Sequence, residues 1–113
     1  MQIEAYDFGQ IIIDGRTYRQ DVLILPDRVR DDWWRQHSHL LQVQDVQEAL
    51  NAGIEILVVG TGMPGRMQVD KALEDYLRKH KIKLVTLPTR EACARFNQLS
   101  GSRKVAAAFH LTC

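Results

Sequence analysis

The run Ile54-Glu-Ile-Leu-Val-Val-Gly-Thr-Gly-Met-Pro-Gly65 constrains this chain more than any other stretch. Ile54 to Val59 is apolar except for Glu55, the pattern of a strand covered on both faces. The glycines that follow permit a sharp turn. Behind them, Val69, Ala72, Leu73, Tyr76 and Leu77 form one stripe, with charged residues opposite, which predicts a helix over 67–81. Lys83-Leu-Val-Thr-Leu87 reads as the next strand. Strand, helix and strand with short joins imply a parallel crossover, so the fold class is α/β.

The flanking segments fit that centre. Gln10 to Ile13 and Arg16 to Gln20 are β-prone runs on either side of Asp14-Gly15, a pair suited to a tight hairpin turn. Asp21 to Leu25 is a short apolar strand ended by Pro26. Val46, Ala49 and Leu50 predict a helix over 44–52, with Gly53 just past its end. Glu74 and Arg78 are spaced to pair on the helix after the glycine loop. Thr89 is the expected N-cap of a helix over 90–100, with Ala92, Cys93, Phe96 and Leu99 facing inward. Residues 103–111 form the last strand, with small side chains that let a helix lie close. Trp33 and Trp34 are adjacent, so one is expected in the core and the other at its rim.

With 113 residues and no linker or repeat, the chain is expected to be a single domain, 1–113. The formal net charge is +1, and acids and bases alternate, as at Asp27, Arg28, Arg30 and Asp31. A nucleic-acid partner would call for a clustered basic excess, so none is expected. No apolar run approaches the roughly 18 residues of a membrane span. Two cysteines are too few for a disulfide scaffold, and the first residues carry no signal-peptide or transit-peptide pattern. A cytoplasmic protein with reduced thiols is the expectation.

Gly60-Thr-Gly-Met-Pro-Gly65 spells G-x-G-x-x-G. Glycines let backbone N–H groups approach a phosphate, and a helix behind them adds a positive dipole end. The acid expected about 20 residues further on is missing, since the first is Glu91. Pro64 also lacks an N–H to offer. A dinucleotide cofactor is therefore not expected. The best anion constellation is Gly60, Thr61, Gly62 and Gly65 with Thr89 and Arg90, at the carboxyl end of the neighbouring strand. The simpler alternative is a glycine turn that the fold needs, a capping Thr89 and a surface Arg90.

His37, His39, His110 and Cys113 are the one metal-like set. Their spacing is not that of a structural zinc site. Strand alternation would turn Cys113 away from His110. They read as surface histidines and a thiol, with no metal assigned. Cys93 lies on a buried helix face, where a thiol is inert. Paired carboxylates, a Ser-His pattern and a P-loop lysine are lacking, so no catalytic residue or cofactor is assigned.

The hairpin Ile11 to Gly15, then Tyr18, Asp21-Val-Leu-Ile-Leu-Pro26, a Trp of the pair, and Asp45-Val46 form one half of a larger pattern. Ile56-Leu-Val-Val-Gly-Thr-Gly62, the run Thr89, Ala92, Phe96, Asn97 and Leu99, and Val105 to Cys113 complete it. Together they resemble the family called domain of unknown function 498, across essentially the whole chain. That family includes the mitochondrial complex I assembly factor 3 group and an adipogenesis-associated protein. The resemblance implies a compact three-layer domain with a central mixed sheet, and no catalytic mechanism. The mitochondrial group acts through protein contacts during complex assembly. This chain starts directly at the domain, which suggests a free-standing bacterial or archaeal member. A non-enzymatic interaction or assembly module is thus expected, its partner another protein and its contact residues Trp33 and Trp34. The alternative is a small-anion or nucleotide-type ligand binder, or an enzyme acting on such a ligand, using the Gly60–Gly65 loop.

Overall fold

A computed structural model describes residues 1–113. It opens with an antiparallel three-stranded sheet, β1 (Ile3–Asp7), β2 (Gln10–Ile13) and β3 (Arg16–Tyr18). Asp14 and Gly15 both have positive φ (48° and 80°), the left-handed pair that a type I′ turn demands. Strands β4 (Val22–Ile24) and β5 (Val29–Arg30) follow, then β6 (Leu40–Leu41). A 3-10 turn over Val43–Val46 runs into the single-turn helix α1 (Gln47–Leu50). The central strand β7 (Ile56–Thr61) is buried along its whole length. Next come β8 (Gln68–Val69), α2 (Lys71–Lys79), β9 (Lys83–Leu87), α3 (Thr89–Ser100) and β10 (Val105–His110).

The main sheet has the order β5-β4-β10-β7-β9, with β10, β7 and β9 parallel and β4 and β5 antiparallel. Alternation along β7 decides the layers. Ile56 and Val58 join Ala92, Cys93 and Phe96 of α3 and Ile11 and Ile13 of the hairpin in one core. Leu57 and Val59 join Leu73 and Leu77 of α2 and Ala49 and Leu50 of α1 in the other. The result is a three-layer α/β domain with a central mixed sheet, as the family resemblance implies. In β10, Ala106, Ala107 and Ala108 are fully buried and leave room for both helical layers. Phe109 fills the hairpin-side core, edge-to-face with Phe96 at 6.3 Å between centroids, an arrangement worth about 1 kcal/mol beyond its buried area.

Four local expectations are corrected. The predicted helix over 67–81 is shorter, because β6 captures Gln68–Val69 as a two-residue parallel strand and Asp70 becomes the N-cap. The helix over 44–52 opens as a 3-10 turn, where Asp45 folds back to accept the Gln42 N–H, and keeps only one α-helical turn, Gln47–Leu50. Arg78 pairs with Asp75 at 3.1 Å rather than with Glu74. Trp33 is buried, but Trp34 stands clear of the rim at 84% exposure.

Candidate functional site

The connections out of β7 and β9 make the strand order reverse at β7, which has β9 on one side and β10 on the other. In open α/β sheets, ligands collect outside the carboxyl ends of the strands at such a reversal. Here that edge holds Gly60 and Thr61 of β7, paired in register with Phe109 and His110 of β10.

The glycine loop is packed against the protein's own backbone. A Cβ on Gly60 would sit 2.7 Å from the Phe109 ring and 2.9 Å from Thr89 Oγ1. A Cβ on Gly62 would sit 2.8 Å from the Thr112 carbonyl oxygen and from the Cys113 carbonyl carbon. The Gly62 N–H donates to Thr89 Oγ1 at 2.8 Å, and the Met63 N–H donates to the Thr112 carbonyl at 2.7 Å. Thr89 in turn donates its hydroxyl to the His110 carbonyl at 2.6 Å, and its N–H donates to Gly62 O. Thr89 is therefore not a helix cap, since Pro88 holds the N-cap position and no side chain caps the helix. It is the bolt that joins the loop, the start of α3 and the end of β10. Thr61 donates its hydroxyl to the Leu87 carbonyl at 3.1 Å, tying β7 to β9.

Gly65, at φ 76°, turns the chain toward α2. Beside it lies an open cavity of about 490 Å³, lined by Thr61, Gly65, Gln68 and Glu74 among others. Its ionisable lining residue is a carboxylate. Arg90 lies elsewhere: Nη1 donates to the Tyr6 carbonyl at 3.2 Å, and the guanidinium stands over the Tyr6 ring at 5.4 Å. The structure thus gathers Gly60, Thr61, Gly62, Gly65 and Thr89 but directs Arg90 to the N-terminal hairpin.

A second cluster at the same edge brings together residues far apart in sequence. His110, 6% exposed, places Nδ1 at 2.7 Å from Asp21 Oδ2. An ionised carboxylate only accepts, so Nδ1 carries the proton. Asp21 also accepts the Leu111 N–H at 2.8 Å and Arg35 Nη1 at 2.7 Å. Burial works against the charged form of Asp21, but the bonds from His110, Leu111 and Arg35 outweigh it and hold its pKa at about 2. The Arg35 side chain is only 6% exposed, and Nη2 is anchored on the Ser38 carbonyl. Removing one partner of a pair this buried costs about 3–5 kcal/mol, because the other charge is left uncompensated.

His39 presents its ring edge-to-face to His110 at 5.7 Å, and its Nε2 lies 3.8 Å from Cys113 Sγ. One donor atom from each of His39, His110 and Cys113 falls within 4.8 Å of the others. The expected surface histidines and averted thiol are thereby corrected: His110 is buried. Cys113 lies beyond β10, so strand alternation no longer governs it. Asp21 and Arg35 escaped the sequence reading altogether. Their one sequence signal is weak: a charged residue opening an apolar strand, and a histidine closing another. Cys93 behaves as expected, with desolvation pushing its thiol up to about 12.

Residues 3–110 match the family described as "Protein of unknown function (DUF498/DUF598)". The chain belongs to this family. Solved structures carry the same fold. A conserved hypothetical protein of this shape, PH1505 from Pyrococcus horikoshii OT3, is 26% identical, with a TM-score of 0.86 and all of both chains covered. The Rpa2829 protein from Rhodopseudomonas palustris is also 26% identical, at TM-score 0.69, with 95% of this chain and 80% of that one covered. A Mth938-like domain protein from Bordetella pertussis is 18% identical at TM-score 0.70 over 97% of this chain and 85% of its own, and shows the fold alone. In this chain the fold brings the glycine loop to the end of β10. No helix is long and apolar enough to cross a membrane.

Proposed function

We propose that this DUF498 domain is a non-enzymatic protein-interaction module whose contact surface centres on Trp34. The observation that carries the reading is the way Trp34 is mounted. Its indole is 84% exposed, yet the side chains on either side are anchored. Trp33 is buried and donates its indole N–H to the Asp45 carbonyl at 2.7 Å. Arg35 is held by Asp21 and the Ser38 carbonyl, and the Gln36 N–H donates to Asp45 Oδ1. A large aromatic set between anchored neighbours presents much contact area for few rotatable bonds, and tryptophan is enriched at interface hot spots. Beside it opens a cavity of about 480 Å³ lined by Gln20, Asp21, Trp33, Trp34, Arg35 and Ser38 among others. It offers a partner both apolar area and hydrogen-bonding edges. Trp33, 8% exposed, contributes a small part of this surface and Trp34 the larger part. Both cysteines are free, which supports a reducing, cytoplasmic setting.

The test is affinity purification at native expression, comparing the wild-type chain with Trp34→Ala. The indole makes no hydrogen bond, so the variant is expected to keep its melting temperature. It is expected to lose at least tenfold in recovery of any specific partner. Identical partner sets with both proteins, or no specific partner across several growth conditions, would overturn the reading.

A further inference from the structure

We propose that His39, His110 and Cys113 form a binding site for a zinc-class transition-metal ion, with Asp21 as the outer carboxylate that aims His110. The inference is independent of the interaction surface at Trp34.

His110 is the fixed point. The Asp21 carboxylate accepts the Nδ1–H at 2.7 Å, so the lone pair lies on Nε2. That nitrogen is buried and has no hydrogen-bond partner among the protein's atoms. A buried polar atom without a partner is uncommon in a folded protein and calls for a reason. A carboxylate bonded to the far nitrogen of a histidine is the usual outer support of a metal-ligating imidazole, fixing the tautomer and making the ring a better donor.

The other two donors complete a compact set. His39 Nε2 and Cys113 Sγ are 3.8 Å apart, and with a ring nitrogen of His110 they form a set whose atoms lie within 4.8 Å of one another. Tetrahedral zinc has bonds of about 2.0–2.1 Å to nitrogen and 2.3 Å to sulfur, so its donors stand roughly 3.3–3.8 Å apart. The His39–Cys113 pair already meets that spacing. The remaining separations need to close by at most about 1.5 Å by the same geometry. His39 is exposed and Cys113 half-buried, so both have room to move while His110 stays in place.

The donor chemistry narrows the ion. Two imidazoles and a thiolate suit zinc and its neighbours, whereas calcium and magnesium take oxygen ligands. Arg35 Nη2 lies 3.3 Å from His110 Nδ1 and would oppose a cation, but its charge is matched by Asp21. Three protein ligands leave a fourth position open, which distinguishes this set from a closed structural site. His110 ends β10 and Cys113 follows it, so the set lies at the carboxyl edge of that strand, where this kind of sheet receives ligands. Gly62 makes room for the Cys113 backbone, and the Met63 N–H holds Thr112. The glycine loop therefore serves to seat a ligand-bearing segment of the chain.

The test uses the full chain, reduced and stripped with a chelator, in equilibrium dialysis against Zn²⁺. One ion per chain is expected, and Co²⁺ in its place should give a thiolate-to-cobalt charge-transfer band. His39→Ala and Cys113→Ser alter exposed or half-exposed side chains and should leave the circular dichroism unchanged. Each should weaken Zn²⁺ binding at least tenfold, and Cys113→Ser should abolish the charge-transfer band. Asp21→Asn should weaken binding roughly 10- to 100-fold, as loss of an outer-shell partner does. His37→Ala serves as the control and should bind as wild type. Less than one ion per chain, wild-type affinity in either His39→Ala or Cys113→Ser, or a Co²⁺ complex without the thiolate band would overturn the site.

Discussion

Thr89→Val isolates the bolt between the glycine loop and the end of β10. Valine matches threonine in shape and keeps the methyl group, but it neither accepts nor donates a hydrogen bond. The Gly62 N–H would lose its acceptor, 2.8 Å away, and the His110 carbonyl its donor, at 2.6 Å. Thr89 is fully buried, so water does not replace either partner. A buried group left without a partner costs about 1–3 kcal/mol, and the amide is the more expensive of the two. The expected loss is about 3 kcal/mol, a large fraction of the roughly 5–15 kcal/mol that holds a domain folded. For a chain of this size that corresponds to a fall in melting temperature of about 12 °C. Urea denaturation followed by circular dichroism measures the loss, with calorimetry as a second probe. Thr89→Ser keeps the hydroxyl and should cost only about 1 kcal/mol for the missing methyl. Thr89→Asn separates this account from helix capping. Asparagine is among the best N-caps and would preserve stability if capping were the role of Thr89. It should instead destabilise the protein, because its longer amide does not fit between Gly62 and His110. Thr89→Val within error of Thr89→Ser, or Thr89→Asn at wild-type stability, would refute the reasoning.

Two further outcomes follow from the same edge. Gly62→Val should be strongly destabilising, by about 3 kcal/mol or more, since φ is 105° and its Cβ would meet the Thr112–Cys113 backbone at 2.8 Å. An unchanged denaturation midpoint would remove the claim that this turn is required. Asp21 has a folded-state pKa of about 2 against an ordinary carboxyl value near 4. Its stabilisation, about 2 kcal/mol, is fully present above about pH 4 and is lost as pH falls toward 2. Urea midpoints taken from pH 5 down to pH 2.5 should fall more steeply for wild type than for Asp21→Asn, and parallel slopes would contradict the assignment.

The sequence alone determined the main elements, and the family resemblance implied their layering. The apolar run Ile54 to Val59, broken only by Glu55, the Asp14-Gly15 turn and the stripe through Leu73 and Leu77 are local patterns, read from run length, turn chemistry and a period of 3.6 residues. Those patterns are properties of strands, turns and helices wherever they occur, so the central sheet, the hairpin and the crossover were legible. The boundaries that failed did so through neighbours remote in sequence. Val69 left the helical stripe because β6 offered Gln68–Val69 a backbone partner, and no pattern in residues 67–81 encodes that.

The site was decided almost entirely by tertiary structure. The Gly60–Gly65 loop was conspicuous in the sequence, but its amides are turned to Thr89 and Thr112 by the closing of α3 and β10 over it. Asp21 and His110, separated by 89 residues, meet because β4 and β10 pair antiparallel. Cys113 joins His39 because the chain beyond β10 is pinned by the Met63 N–H. Hydrogen bonds and metal-donor geometry depend on distances of a few ångströms between segments whose separation the linear order does not record. A sequence shows which side chains are capable of such chemistry; the fold selects which of them meet.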